Sequence, residues 1–301
     1  ELNIYKISIK TLTWVGYMHK DKHVIETLGK VKVVIENGKI SEIGESDVEY
    51  CPMFHSFYGV KKIDSDFIRK NIEFRIKDFG MCTPDRIIKM DDAVTVGISE
   101  ILKTNMEKGN IDCVVGVCDG AGTILMENPN VVQGVGGRVS CIVKTTPIPK
   151  VIRNLEKEEC VVLNPNTGEI NQLEGLKLAI KKGYKNIAVT VIPSKSIEKI
   201  RNYPVDDDVN IYIFVAHTSG CSEDETKMIF ENADIVTACA SKSIFEYADE
   251  HKPYYYGKKI PIFCASSAGR KFLDTRLKFI KKELTTNNYP RDKSDMPHKL
   301  I

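Results

Sequence analysis

From Asp112 onward the chain alternates between short runs of consecutive apolar residues, many of them β-branched, and longer segments whose apolar positions recur at helical spacing. The runs fall at 113–117, 139–143, 160–163, 187–192, 211–215, 235–238 and 260–263. Each is continuous rather than alternating, the pattern of a strand buried on both faces. Helical spacing fills 149–156, 172–182, 194–201, 222–231 and 241–249 between them. This order predicts an α/β fold: a mostly parallel sheet flanked by helices, Rossmann-like and open, with a barrel as the alternative.

The first third has a different rhythm. Residues 30–35 and 39–43 flank Asn37-Gly38, a pair that accepts the positive φ angles of a tight turn, and so predict a β-hairpin. A loop is expected through 49–52. Phe67, Ile68, Ile72 and Ile76 mark a helix over 65–79 that stops at Gly80, and Ile98, Ile101, Leu102 and Met106 mark another that stops at Gly109-Asn110. Near the other end Leu273, Leu277, Ile280 and Leu284 form one stripe, and no periodicity follows Thr285. The expected organisation is a small α+β domain over 1–80, an α/β domain over 81–284 and an irregular tail over 285–301.

Composition narrows the class without naming an activity. The chain has 301 residues, 42% hydrophobic and 28% charged, which is ordinary for a globular protein. Its 43 basic and 41 acidic side chains are interspersed, so nothing resembles a nucleic-acid arm. No apolar run approaches the ~20 residues of a membrane-spanning helix. The nine cysteines are an odd number with no export signal ahead of them, which predicts cytoplasmic thiols. Neither a cofactor nor an oligomeric state can be read from these features.

In parallel α/β sheets, ligands bind beyond the carboxyl ends of the strands. The loops expected there supply two acid–base candidates, Asp119 and His217, and a set of ligand-binding candidates: Gly120, Gly122, Thr123, Arg138, Ser194, Lys195, Thr218, Ser219, Ser241 and Lys242. Small residues, hydroxyls and cations together suit an anionic small molecule. The same residue types are also ordinary caps and turn formers. Ser194-Lys195-Ser196-Ile197 and Ser241-Lys242-Ser243-Ile244 repeat one loop design. Neither G-x-G-x-x-G nor G-x-x-x-x-G-K-[ST] occurs.

No C-x-x-C or H-E-x-x-H is present, so a metal would need ligands assembled in space. Cys113 and Cys118 are expected on opposite faces of one strand, whereas Cys51, Cys82, Cys118, Cys221, Cys239 and Cys264 fall in or beside loops. His19 and His23 are four apart, either a shared metal site on a helix or, with Lys20 and Lys22 between them, a solvated loop.

The segments Glu49-Tyr50-Cys51-Pro52, Phe79-Gly80-Met81-Cys82-Thr83-Pro84-Asp85-Arg86, Gly120-Ala121-Gly122-Thr123, Asn128-Pro129 with Val132-Gln133-Gly134, and 234–242 resemble the family called methanogenesis marker protein 8. The resemblance covers most of the chain, to about Ile280. It implies a cytosolic protein of methane-producing archaea, linked to methanogenesis, and it transfers no catalytic residue. Of the cysteines, Cys51 and Cys239 fit the family pattern. Two functions are compatible with these features. One is an accessory enzyme or cofactor-handling protein that binds an anionic small molecule. The other is a non-catalytic assembly or maturation factor that docks on a larger methanogenesis enzyme, with a metal or iron–sulfur cluster held through Cys51 and Cys239.

Overall fold

A computed structural model describes residues 21–139, 141–281 and 296–301. The first sheet contains β1 (Lys22–Thr27), β2 (Val31–Glu36), β3 (Lys39–Ile43) and the much later β6 (Cys141–Lys144), in the order β3-β2-β1-β6. All its pairings are antiparallel. The hairpin between β2 and β3 turns at Asn37 and Gly38, with φ of 51° and 72°, as the sequence predicts. Helices α1 (Pro52–Tyr58) and α2 (Ser65–Phe79) cover this sheet, and Ile25, Val33, Ile35, Phe54, Ile68 and Ile72 share one core. Asp64 caps α2 by accepting the N–H of Phe67 at 2.8 Å, and Gly80 ends it at φ 71°.

After α3 (Ile98–Glu107) the second sheet begins with β4 (Cys113–Cys118) and β5 (Gly122–Met126), followed by α4 (Pro129–Gly136), β6, α5 (Pro149–Lys157) and β7 (Val161–Val162). Then come α6 (Gln172–Lys181), β8 (Asn186–Val191), α7 (Ser196–Arg201), β9 (Asn210–Val215), α8 (Glu223–Asn232), β10 (Ile235–Thr237) and α9 (Lys242–His251). β11 (Tyr255–Tyr256), β12 (Ile262–Cys264) and α10 (Ser267–Phe279) complete the set. The strand order is β11-β12-β10-β9-β8-β4-β5-β7.

Only β4, β8, β9 and β10 run parallel, and antiparallel strands extend the sheet on both sides. The expectation of a mostly parallel sheet is therefore corrected to a mixed one with a parallel centre. The sheet is open, which excludes the barrel among the described residues. Alternate residues of the central strands feed two cores: Val114, Ala188 and Phe214 pack with α3, α4, α5 and α10, and Val115, Val189 and Ile213 pack with α6 to α9. Cys113 and Cys118 lie in opposite cores, as their spacing implies.

Other expectations change. The run at 139–143 is not a strand of the large sheet, because β6 pairs with β1. The 260–263 run becomes the antiparallel β12, and 160–163 contributes the short antiparallel edge β7. Cys51-Pro52 does not sit in an open loop: Pro52 starts α1, a position where its missing N–H leaves no bond unmade. His23 lies in β1, fully buried, and not on a helix or in a solvated loop; its Nδ1 is 2.6 Å from Thr145 Oγ1. Asp21 Oδ1 is 2.6 Å from His23 Nε2 but off the line of a hydrogen bond. His19 lies outside the described residues.

Among the described residues of the expected tail, 296–301 form no helix or strand. Its last described segment, 296–301, docks on the fold: Tyr50 and His298 exchange backbone bonds, the Ile301 N–H donates to Ala240 O at 2.9 Å, and Ile301 O accepts from Lys242 N and Gly220 N. No helix of the described residues is long and apolar enough to cross a membrane.

Candidate functional site

The carboxyl ends of β4, β8 and β9 point toward β6 of the first sheet, and a cavity of about 590 Å³ lies between them. It runs from His217, beyond β9, along β6 and the loop after β8, to a far end beneath α3 and α4. Its walls are mainly apolar, with Leu102, Val114, Met126, Val132, Val135 and Ile142 among them. Polar atoms come from Glu100, Gln172, Thr190, Ser194, Ser196 and His217. Gly116 keeps the floor open: a Cβ there would stand 2.8 Å from the Met126 methyl and 3.4 Å from Thr190 Oγ1. An apolar, concave space with a few convergent polar groups is the ordinary form of a small-molecule site.

His217, two residues beyond β9, has φ 62°, a left-handed conformation that costs a non-glycine residue about 1–3 kcal/mol and marks a position held for a reason. Its Nε2 lies 3.0 Å from Oε1 of Glu26, on β1 of the other sheet. That hydrogen bond is the main cause that holds the Glu26 carboxyl below the usual carboxylate range, with the charges of His217 and Lys30 adding to it against partial burial. The bond from Nε2 to the Glu26 carboxylate orients the ring, and Nδ1 has no hydrogen-bond partner among the described residues. The geometry gives His217 an oriented imidazole at the cavity mouth. Cys239, at the end of the neighbouring β10, shares the left-handed backbone at φ 45°, with its Sγ 3.4 Å from Thr237 Oγ1.

Asp119 does a different job. It is fully buried; Oδ1 accepts from Arg86 Nε at 2.9 Å and Oδ2 accepts from the backbone of Cys82 at 2.6 Å. Arg86, also buried, donates onward to Gly134 O at 3.1 Å and lies over the Phe79 ring. The proximity of Asp119 raises the Arg86 pKa despite burial. This carboxylate ties residues 79–87 and α4 to the end of β4 and shows no open face for a substrate.

The glycine loop is likewise structural. Gly120 and Gly122 turn a tight hairpin at φ 81° and 79°, and a Cβ on Gly122 would overlap the Gly168 carbonyl carbon at 2.4 Å. Gly120 N donates to Thr145 Oγ1, and Thr123, buried in β5, accepts from Asn171 N. The loop 119–123, expected to meet an anion, forms the turn into β5, a strand the sequence pattern had hidden behind its glycines. Arg138 pairs with Asp78.

Thr218 donates to Thr237 O and Ala238 O, Ser219 accepts from Ala240 N, and Ser241 caps α9. All three are buried. They lace the β9 and β10 loops together. Lys242 forms a surface pair with Glu246, and Ile301 takes its backbone N–H. From the original set, Ser194, Lys195 and His217 remain together: Ser194 and His217 line the cavity, and Lys195 stands exposed beside Ser194. The sequence reading missed Glu26 and Glu100 because one lies on a strand it did not recognise and the other in the first turn of a helix, where acidic residues are ordinarily solvated.

Burial pushes the thiols of Cys113, Cys141, Cys160, Cys221 and Cys264 up to about 12, and those of Cys51, Cys82 and Cys118 upward as well. Cys51 and Cys239 are close enough that the second thiol helps raise the first. Among the described residues, however, no group of three or more His, Cys, Asp or Glu side chains is arranged to hold a metal ion.

The chain is similar to uncharacterized protein MJ0054 of Methanocaldococcus jannaschii, 43% identical over 283 residues that cover 93% of this chain and 100% of the relative. Residues 23–278, which include both sheets and every wall of the cavity, match the family described as uncharacterized protein conserved in archaea (DUF2099), and the chain belongs to that archaeal family.

Proposed function

We propose that the protein binds an amphipathic small molecule in the cavity between its two sheets, with the His217–Glu26 pair as the acid–base group at the mouth. The cavity itself carries this reading: it lies beyond the carboxyl ends of parallel strands and is large enough for a metabolite. An anionic group of the ligand would meet Ser194, Lys195 and the imidazole of His217, and an apolar body would run along β6 toward the end beneath α3 and α4. The resemblance to methanogenesis marker protein 8 supports a ligand drawn from methane metabolism and an accessory, cofactor-handling role.

The test is native mass spectrometry after incubation with the low-molecular-mass extract of a methane-producing archaeon. Wild-type protein is expected to retain a small molecule that Gly116→Ile, which fills the cavity floor, does not. Equal retention by both proteins would place the ligand elsewhere.

A further inference from the structure

Glu100 sits in the cavity wall at the end beneath α3 and α4, and its surroundings are unusual for a carboxylate. The residue is 1% exposed, yet no Lys, Arg or His among the described residues forms an ion pair with it. Its hydrogen bonds come from neutral donors. Oε1 accepts from Ala93 N at 3.1 Å, Val94 N at 3.2 Å and Gln133 Nε2 at 2.7 Å; among the described residues Oε2 accepts only from Ser99 Oγ, at 3.1 Å. Oε1 is saturated and Oε2 has room for another donor.

Burying a carboxylate without a counter-charge is unfavourable, and neutral dipoles offset only part of that. A neutral glutamine could accept the same hydrogen bonds at its side-chain oxygen, so folding alone does not call for a carboxylate here. The space in front of Oε2 is also kept clear. Gly97, another wall residue, precedes α3, and a Cβ on it would stand 2.5 Å from Oε2. Gly136 and Gly137 face the same part of the cavity without side chains.

We infer that the inner end of the ligand carries a protonated nitrogen, as an amine, amidinium or protonated heteroaromatic ring, and that it docks on Glu100 Oε2 as the missing counter-charge. This rests on the cavity reading above and adds the chemistry of its far end. A charge-assisted bond formed away from water is the strong kind, so a neutral or anionic group of the same shape is discriminated against.

The experiment uses the full-length protein and three isosteric probes: benzamidine, benzamide and benzoate, with benzyl alcohol as a small neutral control, each titrated by ligand-observed NMR and calorimetry. Benzamidine is expected to bind at least about tenfold more tightly than benzamide, with benzoate weakest. Glu100→Gln is expected to abolish that preference and leave benzyl alcohol binding in place. Should Glu100→Gln fail to fold, Gly97→Ala, which crowds Oε2 while keeping the carboxylate itself, is expected to remove benzamidine binding selectively. Equal affinity for benzamidine and benzamide, or a preference unchanged in both variants, would overturn the inference and leave the cavity as a neutral site. Binding of no probe at all would overturn the cavity reading with it.

Discussion

At the scale of single residues, the two acid–base candidates separate by what surrounds them. Asp119 is consumed by Arg86 and the Cys82 backbone, so Asp119→Ala strands a buried guanidinium and is expected to lower stability by about 3–5 kcal/mol in urea unfolding. The same loss is expected from Arg86→Ala, and the double variant should lose less than the sum. Glu26 behaves differently, because its carboxyl is depressed in the folded state and the unfolded chain binds the proton more readily. Its contribution is therefore complete above the ordinary carboxylate pKa and is lost as pH falls through the lower folded value. Glu26→Gln is expected to reduce stability at neutral pH by no more than about 1 kcal/mol, since the pair is partly exposed, and the difference should vanish in strongly acidic buffer. Cys141 and Cys239 are half-buried and the seven other thiols are buried, so mild iodoacetamide labelling should be confined to these two sites, which mass spectrometry would locate and Cys239→Ser would reduce to one.

At the scale of elements, the sequence exposes whatever has a local cause. The helix over 65–79 is written in its apolar spacing, its Asp64 cap and its Gly80 stop, and the capping box of Ser222 with Glu225 fixes the start of α8. Strands β4, β8, β9 and β10 announce themselves because they are buried on both faces. β5 did not, since Gly122-Thr123 read as loop chemistry, and the parallel expectation failed at the sheet's margins because strand direction is set by partners distant in sequence. Gly122→Ala tests the role of that loop as a turn. The positive φ and the approach of Gly168 predict a loss of about 1–3 kcal/mol from backbone strain alone, read as a lower urea midpoint.

At the scale of the whole molecule, the site was legible only in part. The loops beyond β8 and β9 supplied Ser194, Lys195 and His217, but the candidate site also needs Glu26, the partner of His217, and β6, a wall of the cavity, both from a sheet whose membership no local pattern discloses. Hydroxyls at the other strand ends proved to be ties between loops, a use that composition cannot distinguish from ligand binding. The pairing of β1 with β6 predicts that a fragment of residues 21–80, although it contains three strands and two helices, will remain largely unfolded by circular dichroism. Its core lacks Ile142 and Ala240 and its sheet lacks an edge.

The crossing of β6 into the first sheet also orders events during synthesis. When β1, β2 and β3 have left the ribosome, the free edge of β1 presents unpaired backbone groups until Cys141–Lys144 follows, and an open edge of that kind invites pairing with other chains. Until then the His217–Glu26 contact does not exist either, because β9 is made later still. The same short strand that closes the sheet forms one wall of the cavity, so a nascent chain has no place to capture a ligand before its two halves have met.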